Sequence, residues 1–126
     1  MNNQQWAATG AFLLALAVTL GAFGAHALNE MLVASGRLET FNTGVEYHFY
    51  HALGLLAIGL APDYLSSRQT NWVGGLLVAG IVFFSGSLYL ICFTGLTFFG
   101  MVAPIGGTAF IAGWVVLGAG LLRRRK

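Results

Sequence analysis

The chain has 126 residues, of which 57% are apolar and only 8% carry a formal charge. A soluble domain has about 25% charged residues and a disordered chain has low hydrophobicity, so the composition excludes both classes. Cys92 is the only cysteine, which excludes a disulfide scaffold. The composition therefore predicts a single integral membrane domain.

Two long uncharged runs indicate where the chain crosses the bilayer, which needs about 20 apolar residues per helix. The first covers residues 6–25, and the uncharged segment before it argues against a cleaved signal peptide. The second, residues 72–122, would form one helix of roughly 76 Å, which is too long for a bilayer. Its glycines and proline within 94–104 place a turn there. We therefore predict spans at about 6–26, 72–93 and 102–122.

A further span is less obvious, because the apolar residues 52–61 are too few to cross alone. Extending the segment backwards gives a helix over 37–61 that contains Glu46, and Ser35 is its candidate N-cap. Residues 27–36 then form a short extracytoplasmic connector that ends at Gly36. Its apolar residues at helical spacing are expected on the bilayer surface: Leu28, Met31 and Leu32.

These spans predict an all-α fold, a membrane bundle of four helices within one domain, residues 1–126. Both termini lie on the same side. That side holds five basic residues, Arg68, Arg123, Arg124, Arg125 and Lys126, whereas the other holds only Arg37. The excess of basic residues predicts that both termini face the cytoplasm. The basic tail is interpreted as a topology signal and a lipid contact, not as a nucleic-acid site.

Small residues recur at helical spacing in the first and last spans. Because helices in lipid associate by close approach, such faces predict helix packing. Packing within the chain and packing against a second copy or a partner are both open. The packing candidates are Gly10, Gly21 and Gly24 in the first span, with Ala17 between them, and Gly106, Gly113 and Gly120 in the last.

The second span carries most of the polar side chains. At 100° per residue, one arc is polar and is expected to face the bundle interior, whereas His48 points away from it. The third span adds hydroxyl and thiol groups that could face this arc. The predicted intramembrane cluster, either a binding site or a structural clamp, consists of His26, Thr43, Glu46, Tyr47, Tyr50, His51, Ser85 and Tyr89, with Asn42, Gly54 and Cys92 nearby.

No catalytic residue, metal or cofactor is predicted. His48 and His51 are a partial ligand set, and zinc sites usually have four ligands. Haem would need histidines on facing helices, and His26 with His51 is the only pair in question. The Ser85-Gly86-Ser87 segment lacks the frame and the base of a serine hydrolase.

Four motifs occur in order over nearly the whole chain: GAFGAH at 21–26, TGVEYHFYHALG at 43–54, FSGSLY at 84–89 and PIGGTAF at 104–110, followed by Gly113-Trp114. Together they resemble the domain-of-unknown-function 423 family of bacterial inner-membrane proteins, and the related eukaryotic transmembrane protein 256 group. The resemblance implies a four-helix membrane protein without an established biochemical activity. One departure is Ala34-Ser35-Gly36, which stands where the family commonly has a proline-containing helix start.

The leading functional hypothesis is an accessory or assembly subunit of the bacterial inner membrane. It would be a homo-oligomer or part of a larger membrane complex, and would pack through its glycine faces. The alternative is a small proton- or cation-coupled transporter with Glu46, Tyr47, Tyr50 and His51 along the path. A haem or metal protein is the third hypothesis.

Overall fold

The computed structural model of the protein describes residues 1–123, which form helices and turns without any strand. The predicted all-α class is confirmed for this part of the chain. A π-helical segment, Ile81–Ser85, joins the fourth helix to the fifth without a break, and a 3-10 turn, Thr97–Met101, precedes the last. The helices are α1 (Asn3–Ala25), α2 (Asn29–Ala34), α3 (Leu38–Gly59), α4 (Ser67–Gly80), α5 (Gly86–Thr94) and α6 (Ala103–Arg123).

Within residues 1–123, three helical stretches are long and apolar enough to cross a membrane: Asn3–Ala25, Ser67–Thr94 and Thr97–Arg123. Helix α3 has 22 residues, which is a sufficient length. It is not among the three, because the Asn, Glu, Tyr and His side chains of its first half lower its mean hydropathy. The predicted basic tail beyond Arg123 lies outside the described residues.

Helix α4 begins at Ser67, five residues before the predicted start of its span at residue 72. The cause is a capping box, in which the Gln69 backbone N–H donates to Ser66 Oγ at 3.2 Å. The Ser66 backbone N–H donates in return to Gln69 Oε1 at 3.0 Å. Each bond satisfies a backbone donor that the start of the helix would otherwise leave free.

The connector between α1 and α3 differs from its prediction at two residues. Ser35 is not the N-cap of α3: it ends α2, its hydroxyl donates to the Leu32 carbonyl, and Arg37 is the N-cap instead. The reason is a Schellman turn at Gly36, where φ is 70° and the Arg37 N–H donates to the Leu32 carbonyl. Leu32 was expected on the bilayer surface, but this turn brings it into a fully buried position against Phe41.

Helices α1 and α3 lie antiparallel and pack along their whole lengths. A Cβ atom at Gly10 would lie 2.6 Å from the Leu56 backbone nitrogen, and one at Gly59 would overlap the Ala7 backbone. At the other end, Gly24 leaves room for the Phe41 ring. The two backbones therefore approach more closely than side chains would allow, which is how helices associate in lipid.

The glycines of α6 serve the same purpose inside the chain. Gly106 packs on the backbone of the π-helical segment, Gly113 on Leu77 of α4, and Gly120 on Leu65. These three glycines are buried, as are Gly10 and Gly24, whereas Gly21 is half-buried with its Cβ position 3.4 Å from Val45. The glycine faces therefore contact the chain's own helices, which is the first of the two alternatives that the sequence left open.

A single methyl group at Gly10 is expected to destabilise the fold. The Gly10→Ala variant would place a Cβ against rigid backbone atoms of α3, and overpacking of this kind costs about 1–3 kcal/mol. The measurement is the thermal midpoint of the purified protein in detergent. Gly118→Ala is the control, because a Cβ there meets no atom within 4 Å; an equal midpoint shift in both variants would contradict the close contact.

Candidate functional site: the two faces of helix α3

Helix α3 has an inward face and an outward face, and the structure reverses their predicted roles. The inward face contains Val45, His48 and Ala52, all buried. The outward face contains Glu46 and Tyr50, and 56% of Tyr50 is exposed. The prediction that the polar arc faces the interior was therefore wrong for Glu46 and Tyr50. His48 does point away from that arc, as predicted, but the side it lies on is the interior.

The rotation of α3 follows from its small residues. Gly44, Ala52 and Gly59 lie on the same side of the helix as His48, and all four are buried. This side is the only one smooth enough to meet α1 and α5 closely. A face carrying the Glu46 and Tyr50 side chains would hold these two helices apart from α3, so it turns outward.

His48 is held by Tyr89 of α5. The hydroxyl of Tyr89 and Nδ1 of His48 are 2.8 Å apart, and His48 is only 1% exposed. Its other ring nitrogen, Nε2, is buried without a hydrogen-bond partner among residues 1–123. The Tyr89 ring covers Gly44, where a Cβ would approach to 3.0 Å, and packs beside Phe41 with ring centroids 5.7 Å apart.

Two further side chains of the same helical stretch reach α3. Ser85 closes the π-helical segment, is fully buried, and donates its hydroxyl proton to the Gly44 carbonyl at 2.7 Å. Cys92 Sγ lies 3.7 Å from the Arg37 carbonyl. Ser85, Tyr89 and Cys92 thus face α3 as a row, but on its inward side and not on the side of Glu46. A π-helical segment shifts the register of the residues that follow it, and here it ends at Ser85, just before Tyr89 and Cys92.

His51 occupies a different environment, between α3 and α6. Its Nδ1 lies 2.6 Å from the Tyr47 backbone carbonyl, so Nδ1 carries the proton and donates it. Its ring stacks on Phe110 with centroids 3.4 Å apart and an interplanar angle of 12°. Trp114 and the Tyr47 ring flank it, with centroids 5.8 and 6.1 Å away. This aromatic seam fixes the imidazole on both faces.

The predicted cluster is therefore divided into three groups. Ser85 and Tyr89 meet Gly44 and His48 inside, Tyr47 and His51 meet α6, and Glu46 and Tyr50 face outward with Thr43 half-buried beside them. His26 is exposed at the end of α1. Near His26, Gly24 of α1 contacts Phe41 of α3. His51 lies ten residues beyond Phe41, a distance of roughly 15 Å along α3. This separation is too large for His26 and His51 to ligate one haem.

The outward face of α3 carries a polar ridge, defined as Glu39, Asn42, Glu46 and Tyr50, all exposed. Its members are three or four residues apart, so they form one continuous line. None of the four side chains makes a hydrogen bond or an ion pair within residues 1–123. Nor does that part of the chain hold three or more His, Cys, Asp or Glu side chains placed to bind a metal ion.

Sequence reasoning missed Gly44 and His48 as the partners of Ser85 and Tyr89. A signal was present, because His48 has Gly44 four residues before it and Ala52 four residues after it. Small residues mark the side of a membrane helix that meets protein. The same residues on α1 were identified as packing positions, and α3 follows the same rule.

Loss of the Tyr89 hydroxyl is expected to destabilise the protein. The Tyr89→Phe variant leaves both ring nitrogens of His48 buried without a partner. The expected loss in unfolding free energy is about 0.6–2 kcal/mol, the range for hydrogen bonds between membrane helices. Chemical unfolding in mixed micelles measures it, with the outward-facing Tyr50→Phe as control. An unchanged Tyr89→Phe protein would mean that the 2.8 Å contact contributes nothing.

Comparison with known proteins confirms the resemblance to the domain-of-unknown-function 423 family. The family model described as a protein of unknown function (DUF423) matches residues 20–107. A UPF0382 membrane protein of Staphylococcus saprophyticus is 46% identical, over 90% of this chain and 93% of its own. The UPF0382 membrane protein YwdK of Bacillus subtilis is 46% identical over 86% of this chain and 88% of its own.

The UPF0382 inner membrane protein YgdD of Escherichia coli is 37% identical over 86% of this chain and 82% of its own. No solved structure matches the chain. The relatives are named membrane or inner membrane proteins, and three helices of this chain are apolar enough to span a bilayer. The protein is therefore a membrane protein and belongs to the DUF423 family.

Proposed function

We propose that the protein is an accessory or assembly subunit of the bacterial inner membrane, and that the polar ridge of α3 is its recognition face. The observation that carries the proposal is the line of four exposed polar side chains without partners in the described part of the chain. We assign no catalytic role, because the Ser85 hydroxyl is bonded to the Gly44 carbonyl and His51 Nδ1 to that of Tyr47.

The proposed topology has α3 as a fourth span and both termini in the cytoplasm. Helix α3 contacts α1 from Gly24 at one end to Ala7 at the other, so a bilayer crossed by α1 also surrounds α3. The ends of the pair differ in charge. Arg68 and Arg123 lie toward the side of the termini, and Arg37 toward the connector, as the excess of cytoplasmic basic residues requires.

The depth of the ridge follows from the contacts of α3 with α1. Val45 lies beside Gly21, so Glu46 is about 6 Å inside the α1 end at Ala25. Tyr50 lies about 6 Å deeper, toward the middle of the bilayer. In hydrocarbon an unsatisfied polar group costs several kcal/mol, and a carboxylate near the centre about 2.5–3.5 kcal/mol on insertion scales. A protein partner that supplies hydrogen bonds removes this cost.

The chemistry of the ridge fits two kinds of partner. Glu46 accepts hydrogen bonds, and the Asn42 amide and the Tyr50 hydroxyl donate them. Two copies related by an axis along the membrane normal would lay the two ridges side by side at equal depth, with the donors of one copy one helical turn from the acceptor of the other, so that long side chains could join them in a homo-oligomer. A helix of a larger membrane complex with hydroxyl, amide or basic side chains would satisfy the same groups.

The transporter alternative is less well supported. Its four residues have two environments. Glu46 and Tyr50 are exposed, whereas Tyr47 and His51 pack on Phe84 and Phe110, and the Tyr47 and Tyr50 rings, 6.0 Å apart, join the two pairs. A second copy of the chain would have to enclose Glu46 and Tyr50 before a continuous path for a proton or cation existed. We therefore place the interaction role first.

Reporter fusions test the proposed topology. A reporter that is active only in the cytoplasm is expected to work at both termini. The same reporter inserted at Gly36, in the connector, is expected to be silent. Activity at Gly36, or silence at one terminus only, would contradict the four-span arrangement.

Photo-crosslinking tests the recognition face. A benzophenone amino acid in place of Tyr50, 56% exposed, is expected to crosslink to protein in native membranes. The control position is Phe12 on α1, which is 77% exposed and apolar. It is expected to react with lipid only, because its helix face carries no polar group that needs a partner.

The crosslinked species separates the possible results. A product of twice the chain mass identifies a second copy, and one larger defined band identifies another subunit. Either result supports the ridge as a recognition face. Equal protein crosslinking at residues 12 and 50, or none at residue 50, would contradict the proposal.

A further inference from the structure

We propose that the open end of the seam between α3 and α6 binds one zwitterionic phospholipid with an amine in its headgroup. One acyl chain would lie in an apolar groove and the headgroup in an adjoining polar pocket. The site lies away from the polar ridge and does not depend on the role proposed for it.

The groove exists because α3 and α6 separate beyond Trp114. The Trp114 ring packs at Gly54, where a Cβ would lie 3.0 Å from it, and closes one end of the seam. Past that point a groove of about 300 Å³ opens, lined by Ala57 and Ala61 on one wall and by Leu117 and Leu121 on the other. Small side chains on α3 leave the space, and the lining is apolar, as an acyl chain requires.

The groove continues into a pocket of about 490 Å³ near the ends of α3 and α6. Tyr64 and Leu65 line both spaces, so they form the junction between them. The polar lining of the pocket includes Asp63 and Arg123. An apolar groove that leads into a charged pocket has the polarity profile of a phospholipid. The groove lies at the depth of the helices, and the pocket lies where they end.

The charges in the pocket indicate the headgroup. Asp63 and Arg123 both line the pocket, and no ion pair joins them in the described part of the chain. Ser66 and Gln69 also line it, but the capping box already engages Ser66 Oγ and Gln69 Oε1. The Arg123 guanidinium can therefore bind a phosphate, and the Asp63 carboxylate can bind an ammonium group. A single headgroup that carries a phosphate and an ammonium group matches both side chains. The Tyr64 side chain, 61% exposed, lies at the junction, as aromatic side chains do at the membrane interface.

Native mass spectrometry of the full-length protein with added phosphatidylethanolamine tests the site. The wild-type protein is expected to retain one lipid under conditions that strip bulk lipid. Ala57→Phe fills the groove and Arg123→Gln removes the phosphate partner; each is expected to lower the apparent affinity about tenfold. The matched controls are Ala15→Phe on the exposed side of α1 and Arg68→Gln at the start of α4, which are expected to retain the lipid.

A second arm tests recognition of the amine. Phosphatidylglycerol, which lacks an amine, is expected to bind more weakly than phosphatidylethanolamine, and Asp63→Asn is expected to remove this preference. Equal retention of both lipids by the wild type would overturn the assignment of Asp63. Equal retention of phosphatidylethanolamine by Ala57→Phe and Ala15→Phe would overturn the groove. Displacement of the bound lipid by inorganic phosphate alone would overturn it as well.

Discussion

The close contact between α1 and α3 determines the arrangement of most other groups in the molecule. At Gly10 and Gly59 the backbone of one helix touches the other, and no larger residue fits at either point without moving a helix. This contact fixes the rotation of α3 about its axis. That rotation places His48 opposite Tyr89 and turns Glu46 and Tyr50 to the outside. The glycine contact between α1 and α3 thus decides which polar side chains of α3 lie inside the protein.

The two polar environments of α3 have different physical consequences. Inside, Ser85 bonds to the Gly44 carbonyl and Tyr89 to His48, so hydrogen bonds hold the π-helical segment and α5 to α3. Outside, the ridge has no partner within the described chain, and it extends from the end of α1 toward the middle of the bilayer. The hydrocarbon of the bilayer cannot donate to a carboxylate or accept from an amide, so a recognition face is the simplest physical account of the part of the ridge that lies within it.

Sequence patterns predicted the helices well, because lipid requires long apolar segments and glycine or proline marks their ends. They did not predict the rotation of α3. In a soluble protein the apolar face is the inner one, but in a membrane an apolar face can meet lipid or protein. Which face of α3 meets protein is indicated by its small residues, Gly44, Ala52 and Gly59, since small residues mark the side that packs against other helices. Ser35 was misassigned for a local reason, because the turn at Gly36 uses Ser35 to end α2.

Disulfide trapping between α1 and α3 tests the rotation of α3 most directly. In a Cys92→Ser background, cysteines replacing Gly21 and Val45 are expected to crosslink within one chain, because the Cβ position of Gly21 lies 3.4 Å from the Val45 side chain. That Val45 atom is Cγ1, and a cysteine at residue 45 would carry its sulfur at a γ position, within reach of a cysteine at residue 21. Cysteines replacing Gly21 and Glu46 are expected to remain reduced within the chain. Rapid crosslinking of the 21–46 pair, with none at 21–45, would contradict the account and would turn the polar ridge inward.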